Sequence, residues 1–147
     1  MNLYKYILTQ VLKSITLFFV LISFAQASNI KNSATVFMYH KFGVSKYPST
    51  SVKISQLESH INEILKEKYN ILSLDFIVDT IVNDGELPKN AIGISIDDAD
   101  KSFIEVGWPL FKANNIPVTL FVTTGTIANN NKSYLNWDQI RKLKNEG

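Results

Sequence analysis

Four short apolar stretches recur along this chain, separated by segments of helical periodicity. ATVFMYH (34–40), NILSL (70–74), AIGISI (91–96) and VTLFV (118–122) have the length of strands and are too short for buried helices. Between the first two, Leu57, Ile61, Ile64 and Leu65 fall at i, i+4, i+7 and i+8, one face of a helix, with Ser55 and Glu58 spaced as a capping box. Asp75 is placed to cap a second helix carrying Phe76, Ile77, Thr80 and Ile81, which Asp84-Gly85 and Pro88 end. A third helix is predicted from about Ser102 to Asn115, where Pro109 implies a kink or a later start. A last helix covers about Trp137 to Asn145, with Gly147 suited to its C-cap. The stretch KFGVSKYPSTS (41–51) reads as a loop. Strands alternating with helices predict an α/β fold with a parallel sheet or barrel.

The first 27 residues read as a signal peptide. Lys5 and Lys13 are their only charges, and the run ITLFFVLISF (15–24) leads into Ala25-Gln26-Ala27, a small-x-small cleavage pattern. The run falls short of the roughly 20 residues of a spanning helix. An uncut segment acting as an anchor is the one route to a membrane, and the domain itself is expected to be secreted or periplasmic. Without Lys5 and Lys13, 13 basic residues balance 13 acidic ones. With no basic block, a nucleic-acid partner is not expected. The absence of cysteine excludes disulfides, a thiol nucleophile and cysteine-ligated zinc.

In parallel α/β folds the chemistry gathers at the C-terminal ends of the strands. Three places qualify: His40, Asp97-Asp98 and Thr123-Thr124-Gly125. Two adjacent carboxylates at a strand end repel unless a cation lies between them. One could then ligate a metal while the other accepts a proton from water. The competing explanation is a turn rich in aspartate, with Asp100 as a third member. His60, on the flank of a helical stripe, reads as an ordinary surface or boundary residue.

Four segments in one order, VFMYHKFG, IGISIDDADKSF, WPLFKANNIPVTLFVTTG and LNWDQIRKLKNEG, resemble the polysaccharide deacetylase family, the NodB-homology enzymes of carbohydrate esterase family 4. The resemblance runs over residues 34–147. It implies metal-assisted removal of acetyl groups from a polysaccharide, with Asp97 matching the general base, Asp98 the metal-binding carboxylate, and His40 the histidine of the Tyr-His pair near the site. Ser95-Ile96 stands where the family has Thr-Phe. Ala99 stands where it has Gly, at a cost of roughly 1 kcal/mol if φ is positive there. The family's H-[S/T]-x-x-H motif does not occur, and His40 and His60 are not spaced to replace it.

The resemblance therefore implies the N-terminal half of a (β/α) barrel, a partial domain over 34–147. It implies a divalent metal, zinc by family, whose two histidine ligands are expected beyond residue 147, and a chain that is inactive alone. The alternative is an exported non-catalytic carbohydrate-binding protein, for which Phe42, Trp108, Tyr134 and Trp137 would supply aromatic contacts.

Overall fold

The structure, a computed structural model, describes residues 32–129 and 131–147, together with Tyr4, Lys5, Ile7 and residues 10–13. By Cα clustering the chain forms two units, Met1–Lys31 and Asn32–Gly147. The described residues of the first are helical. The run 15–24 and Ala25-Gln26-Ala27, on which the signal-peptide reading rests, lie outside the described residues. Among the described residues no helix is long and apolar enough to cross a membrane.

In the second unit the order is β1 (Ala34–Tyr39), β2 (Lys41–Phe42), β3 (Ser51–Val52), α1 (Ile54–Ile64), β4 (Asn70–Ile71), α2 (Leu74–Val82) and β5 (Ala91–Ile96). A π-helical turn (Phe103–Gly107) then leads into α3 (Trp108–Ala113), followed by β6 (Thr119–Leu120), α4 (Thr124–Ala128) and α5 (Trp137–Glu146). The expected α/β class with a parallel sheet is observed. β5 is its axis, paired along its whole length with β1, Ala34 beside Ala91 and Tyr39 beside Ile96. The other edge of β5 is shared, β4 at Ala91-Ile92 and β6 at Ser95-Ile96.

All six residues of β5 are buried. Ile92, Ile94 and Ile96 join Phe42, Leu57, Ile61, Phe103 and Phe111 in the main core. On the other face Gly93 lies under α2, where a Cβ would stand 2.6 Å from Leu74 Cδ2 and 2.9 Å from Ile77 Cδ1. Helix and strand therefore approach closely there because the strand has no side chain at that position.

Several local expectations are corrected. β1 is not a buried strand: Val36, Phe37 and Met38 are 46%, 40% and 60% exposed, because among the described residues β1 is paired only with β5. α1 buries Leu57, Ile61 and Ile64 as expected, but Leu65 is exposed just past its end. Its first turn is tied by Gln56 Oε1, which accepts from Lys53 N at 3.2 Å, and not by Ser55 and Glu58. Ser73, not Asp75, caps α2, its Oγ accepting from Phe76 N at 3.2 Å. Pro109 has no N–H to give the carbonyl four residues earlier. The chain widens there into the π-helical turn, and Pro109 falls in the first turn of α3. The loop 41–51 contains β2 and the first residue of β3, a two-residue parallel pair.

Candidate active site

The parallel ladder of β1 and β5 continues one step past the strands, Asp97 N donating to Tyr39 O at 2.8 Å. Side chains alternate along a strand, so His40 and Asp97, each following a core-facing residue, emerge on one face. His40 Nε2 lies 4.0 Å from Asp97 Oδ2, ion-pair distance but too long for a direct hydrogen bond. Both side chains keep about a third of their surface open, at 27% and 30%.

Asp98 follows in a turn. It has φ 68° and Ala99 has φ 57°, two consecutive left-handed residues without a glycine. The positive φ expected at Ala99 is present, and each such residue costs roughly 1 kcal/mol. Asp98 Oδ1 accepts from Thr123 Oγ1 at 3.1 Å, across from the end of β6. The three strand ends singled out in the sequence are thus in contact, His40 with Asp97 and Thr123 with Asp98. Thr124 and Gly125 are exposed in α4 and touch neither carboxylate.

What holds this strained turn was not apparent in the sequence. Asp100 is buried, and its Oδ1 accepts from Ser102 N at 3.0 Å and from Ser102 Oγ at 2.6 Å. Its Oδ2 pairs with Lys41 Nζ at 3.4 Å, the two side chains only 11% and 13% exposed. Ser102 Oγ in turn accepts from Phe42 N at 3.0 Å. The network joins the segment after His40 to the segment after Asp98. Leu135 N, donating to Ala99 O at 2.9 Å, holds the turn from the other side.

His60 is exposed on the surface of α1 and contacts the end of β1. Its Nδ1 lies 3.0 Å from the Tyr39 hydroxyl. Burial pushes the Tyr39 hydroxyl above its ordinary value, and the hydroxyl and the imidazole share a hydrogen bond whose direction follows the His60 tautomer. Of the four aromatic residues considered for sugar contact, Phe42 and Trp108 are buried in the core, Tyr134 is half-buried and Trp137 is exposed.

A parallel α/β sheet with a carboxylate pair and an imidazole at its carboxyl strand ends has titratable groups where α/β folds collect their ligands. Residues 84–147 match the polysaccharide deacetylase family. The poly-β-1,6-N-acetyl-D-glucosamine N-deacetylases of Staphylococcus aureus strains MSSA476 and MRSA252 are 31% identical over 107 residues, 72% of this chain and 36% of theirs. The chain spans about a third of the length of these curated relatives. The Streptococcus pyogenes deacetylase PplD, solved in complex with acetate, superposes with TM-score 0.68 at 21% identity, over 78% of this chain and 53% of its own. A de-N-acetylase from Aggregatibacter actinomycetemcomitans gives 0.68 at 23%, over 78% and 51%. IcaB from Ammonifex degensii gives 0.64 at 20%, over 79% and 50%. Together these identify a polysaccharide deacetylase (NodB-like) domain, matched over part of the chain.

That family is generally metal-dependent. Among the described residues no group of three or more His, Cys, Asp or Glu side chains is placed to hold a metal ion. A catalytic zinc takes three protein ligands, so the residues present do not by themselves fit one.

Proposed function

We propose that this chain carries the carboxylate pair of an exported N-deacetylase acting on an acetylated amino-sugar polysaccharide. The observation that supports it is the convergence of strand ends, which sets Asp97 against His40 and fixes Asp98 through Thr123. Asp97 is the general base. It takes a proton from the water that attacks the acetyl carbonyl. When the C–N bond breaks, acetate leaves and the amine nitrogen receives a proton, which the Asp97–His40 pair is placed to return. Asp98, whose Oδ1 accepts from Thr123 Oγ1, is the carboxylate assigned to a divalent metal, zinc by family resemblance. The described residues supply no full ligand set for it. The sheet is read as one side of a (β/α) barrel, and the pattern in residues 1–27 supports export to the periplasm or medium. Poly-β-1,6-N-acetyl-D-glucosamine, for which the Staphylococcus aureus relatives are named, is the first substrate to test.

The test is acetate release from a β-1,6-linked N-acetylglucosamine oligomer by the natural gene product and its Asp97→Asn variant. Loss of the base should slow release by roughly 10²–10⁴-fold. Release that is unchanged in the variant contradicts the proposal. Oligomer binding with no acetate release from the wild type would point instead to a non-catalytic carbohydrate-binding protein.

A further inference from the structure

The most strained point of the backbone and the most buried ion pair among the described residues lie next to each other. Of the residues other than glycine with positive φ, Asp84, Asn90 and Asn115 are single Asp or Asn residues in turns, where a short polar side chain eases the conformation. Asp98 and Ala99 are consecutive, and alanine has nothing polar with which to bond its own backbone. Such a pair persists only where its surroundings over-determine it.

Those surroundings are two ties between β2, which follows His40, and the segment that follows Ala99. Lys41 Nζ pairs with Asp100 Oδ2 at 3.4 Å, and Phe42 N donates to Ser102 Oγ at 3.0 Å. Ser102 gives two hydrogen bonds to Asp100 Oδ1, so both oxygens of that carboxylate are engaged. Lys41 Nζ also lies 5.5 Å from the Tyr47 ring and 5.9 Å from the Tyr134 ring. One ammonium therefore meets the loop before β3, the carboxylate turn and the segment before α5. β2 is itself fixed to its neighbour: Lys41 N donates to Thr50 O at 3.1 Å and Gly43 N to Val52 O at 2.8 Å.

Stability does not explain why a lysine is buried here. A lysine can run its stem along the surface and keep its ammonium in water. Burying it against a carboxylate adds little net stability, and apolar side chains of similar size are often as good or better. What an apolar pair cannot supply is direction. A carboxylate bonded through both oxygens fixes the angle between two segments, whereas apolar contacts are non-directional. We propose that Lys41 and Asp100 are positioning residues, a clamp that holds Asp98 and Ala99 left-handed and thereby sets Asp98 against Thr123 and Asp97 against His40. The proposal rests on the deacetylase reading for the reaction it serves.

The apolar pair Lys41→Met/Asp100→Leu separates positioning from stability, because it fills the space and buries no charge. In the natural gene product its urea midpoint should lie near that of wild type. Its kcat for acetate release from an N-acetylglucosamine oligomer should nonetheless fall about 10²-fold per folded molecule, with KM little changed, as for a misplacement of about 1 Å. The NMR couplings that report φ at Asp98 and Ala99 should leave their left-handed values. Asp100→Asn, which keeps an oxygen for Ser102 but no charge for Lys41, should stay folded and lose kcat several-fold. It decides the matter if the double variant does not fold. Wild-type kcat in either folded variant, or unchanged couplings in the double variant, overturns the proposal. A wild type that releases no acetate removes the deacetylase reading and leaves the clamp to the couplings, which uphold it if they move and overturn it if they do not. Release that needs Asp97 but is indifferent to the Lys41–Asp100 pair keeps the deacetylase reading and removes the clamp.

Discussion

Asp100→Ala is the substitution whose cost the structure specifies most fully. It removes a buried carboxylate that accepts two hydrogen bonds from Ser102 and pairs with Lys41 Nζ at 3.4 Å. Lys41 is then left 13% exposed with no counter-charge, and its remaining neighbours are the Tyr47 and Tyr134 rings, 5.5 Å and 5.9 Å from Nζ. Breaking a buried pair from one side costs about 3–5 kcal/mol, most of it from the stranded charge. At about 4 °C per kcal/mol for a domain of this size, Tm should fall by roughly 12–20 °C. Asp100→Asn keeps an oxygen for Ser102 and should cost less. The double variant Lys41→Met/Asp100→Leu should recover much of the loss, because it buries no unpaired charge. Arg141→Ala, at an exposed pair with Asp138, should stay within about 0.5 kcal/mol of wild type. The assay is urea unfolding followed by circular dichroism. An Asp100→Ala variant as mild as Arg141→Ala, or a double variant no better than the single, would refute the argument that this network holds the turn.

Two further perturbations probe other parts of the fold. Gly93→Ala places a methyl 2.6 Å from Leu74 Cδ2, which should cost about 1–3 kcal/mol by overpacking; a neutral result in the same unfolding assay would mean that α2 lies less tightly on β5 than described. Hydrogen bonds from Lys66 and then Lys68 lower the Glu63 carboxyl to about 2 in the folded chain, against about 4.3 unfolded. A depressed value stabilises the fold above the unfolded pKa and is lost as pH falls from about 4.3 towards 2. Glu63→Gln should therefore flatten the acid limb of the stability curve in that window. At about 1 M salt, where the Debye length is about 3 Å, the two proteins should converge, and a difference that survives salt argues against a surface charge effect.

Much of the site was legible because β1 and β5 announce themselves as apolar runs that stop at polar residues, and strand ends are where α/β chemistry collects. That logic found His40, Asp97 and Thr123 without any knowledge of pairing. It could not find the Lys41–Asp100–Ser102 network. Charged residues in loops read as solvated, and Lys41 and Asp100 meet only because β1 and β5 lie side by side. The exposure of β1 was equally hidden, since an apolar strand reads the same at an edge as in the middle of a sheet. Cap positions slipped by two residues for a local reason: Ser55 and Gln56 at one helix start, and Ser73 and Asp75 at the other, stand close enough to compete for the same orphan amides. The tie between His60 and Tyr39 links residues 21 apart in sequence and gives no periodic signal.

The central claim is that Asp97 does chemistry rather than binding. Its most direct test is the kinetic split for Asp97→Asn on an N-acetylglucosamine oligomer, measured as acetate release in the natural gene product. Loss of a general base that acts only in the transition state predicts a fall in kcat of roughly 10²–10⁴-fold with KM nearly unchanged. A raised KM with kcat preserved would make Asp97 a binding residue and contradict the account.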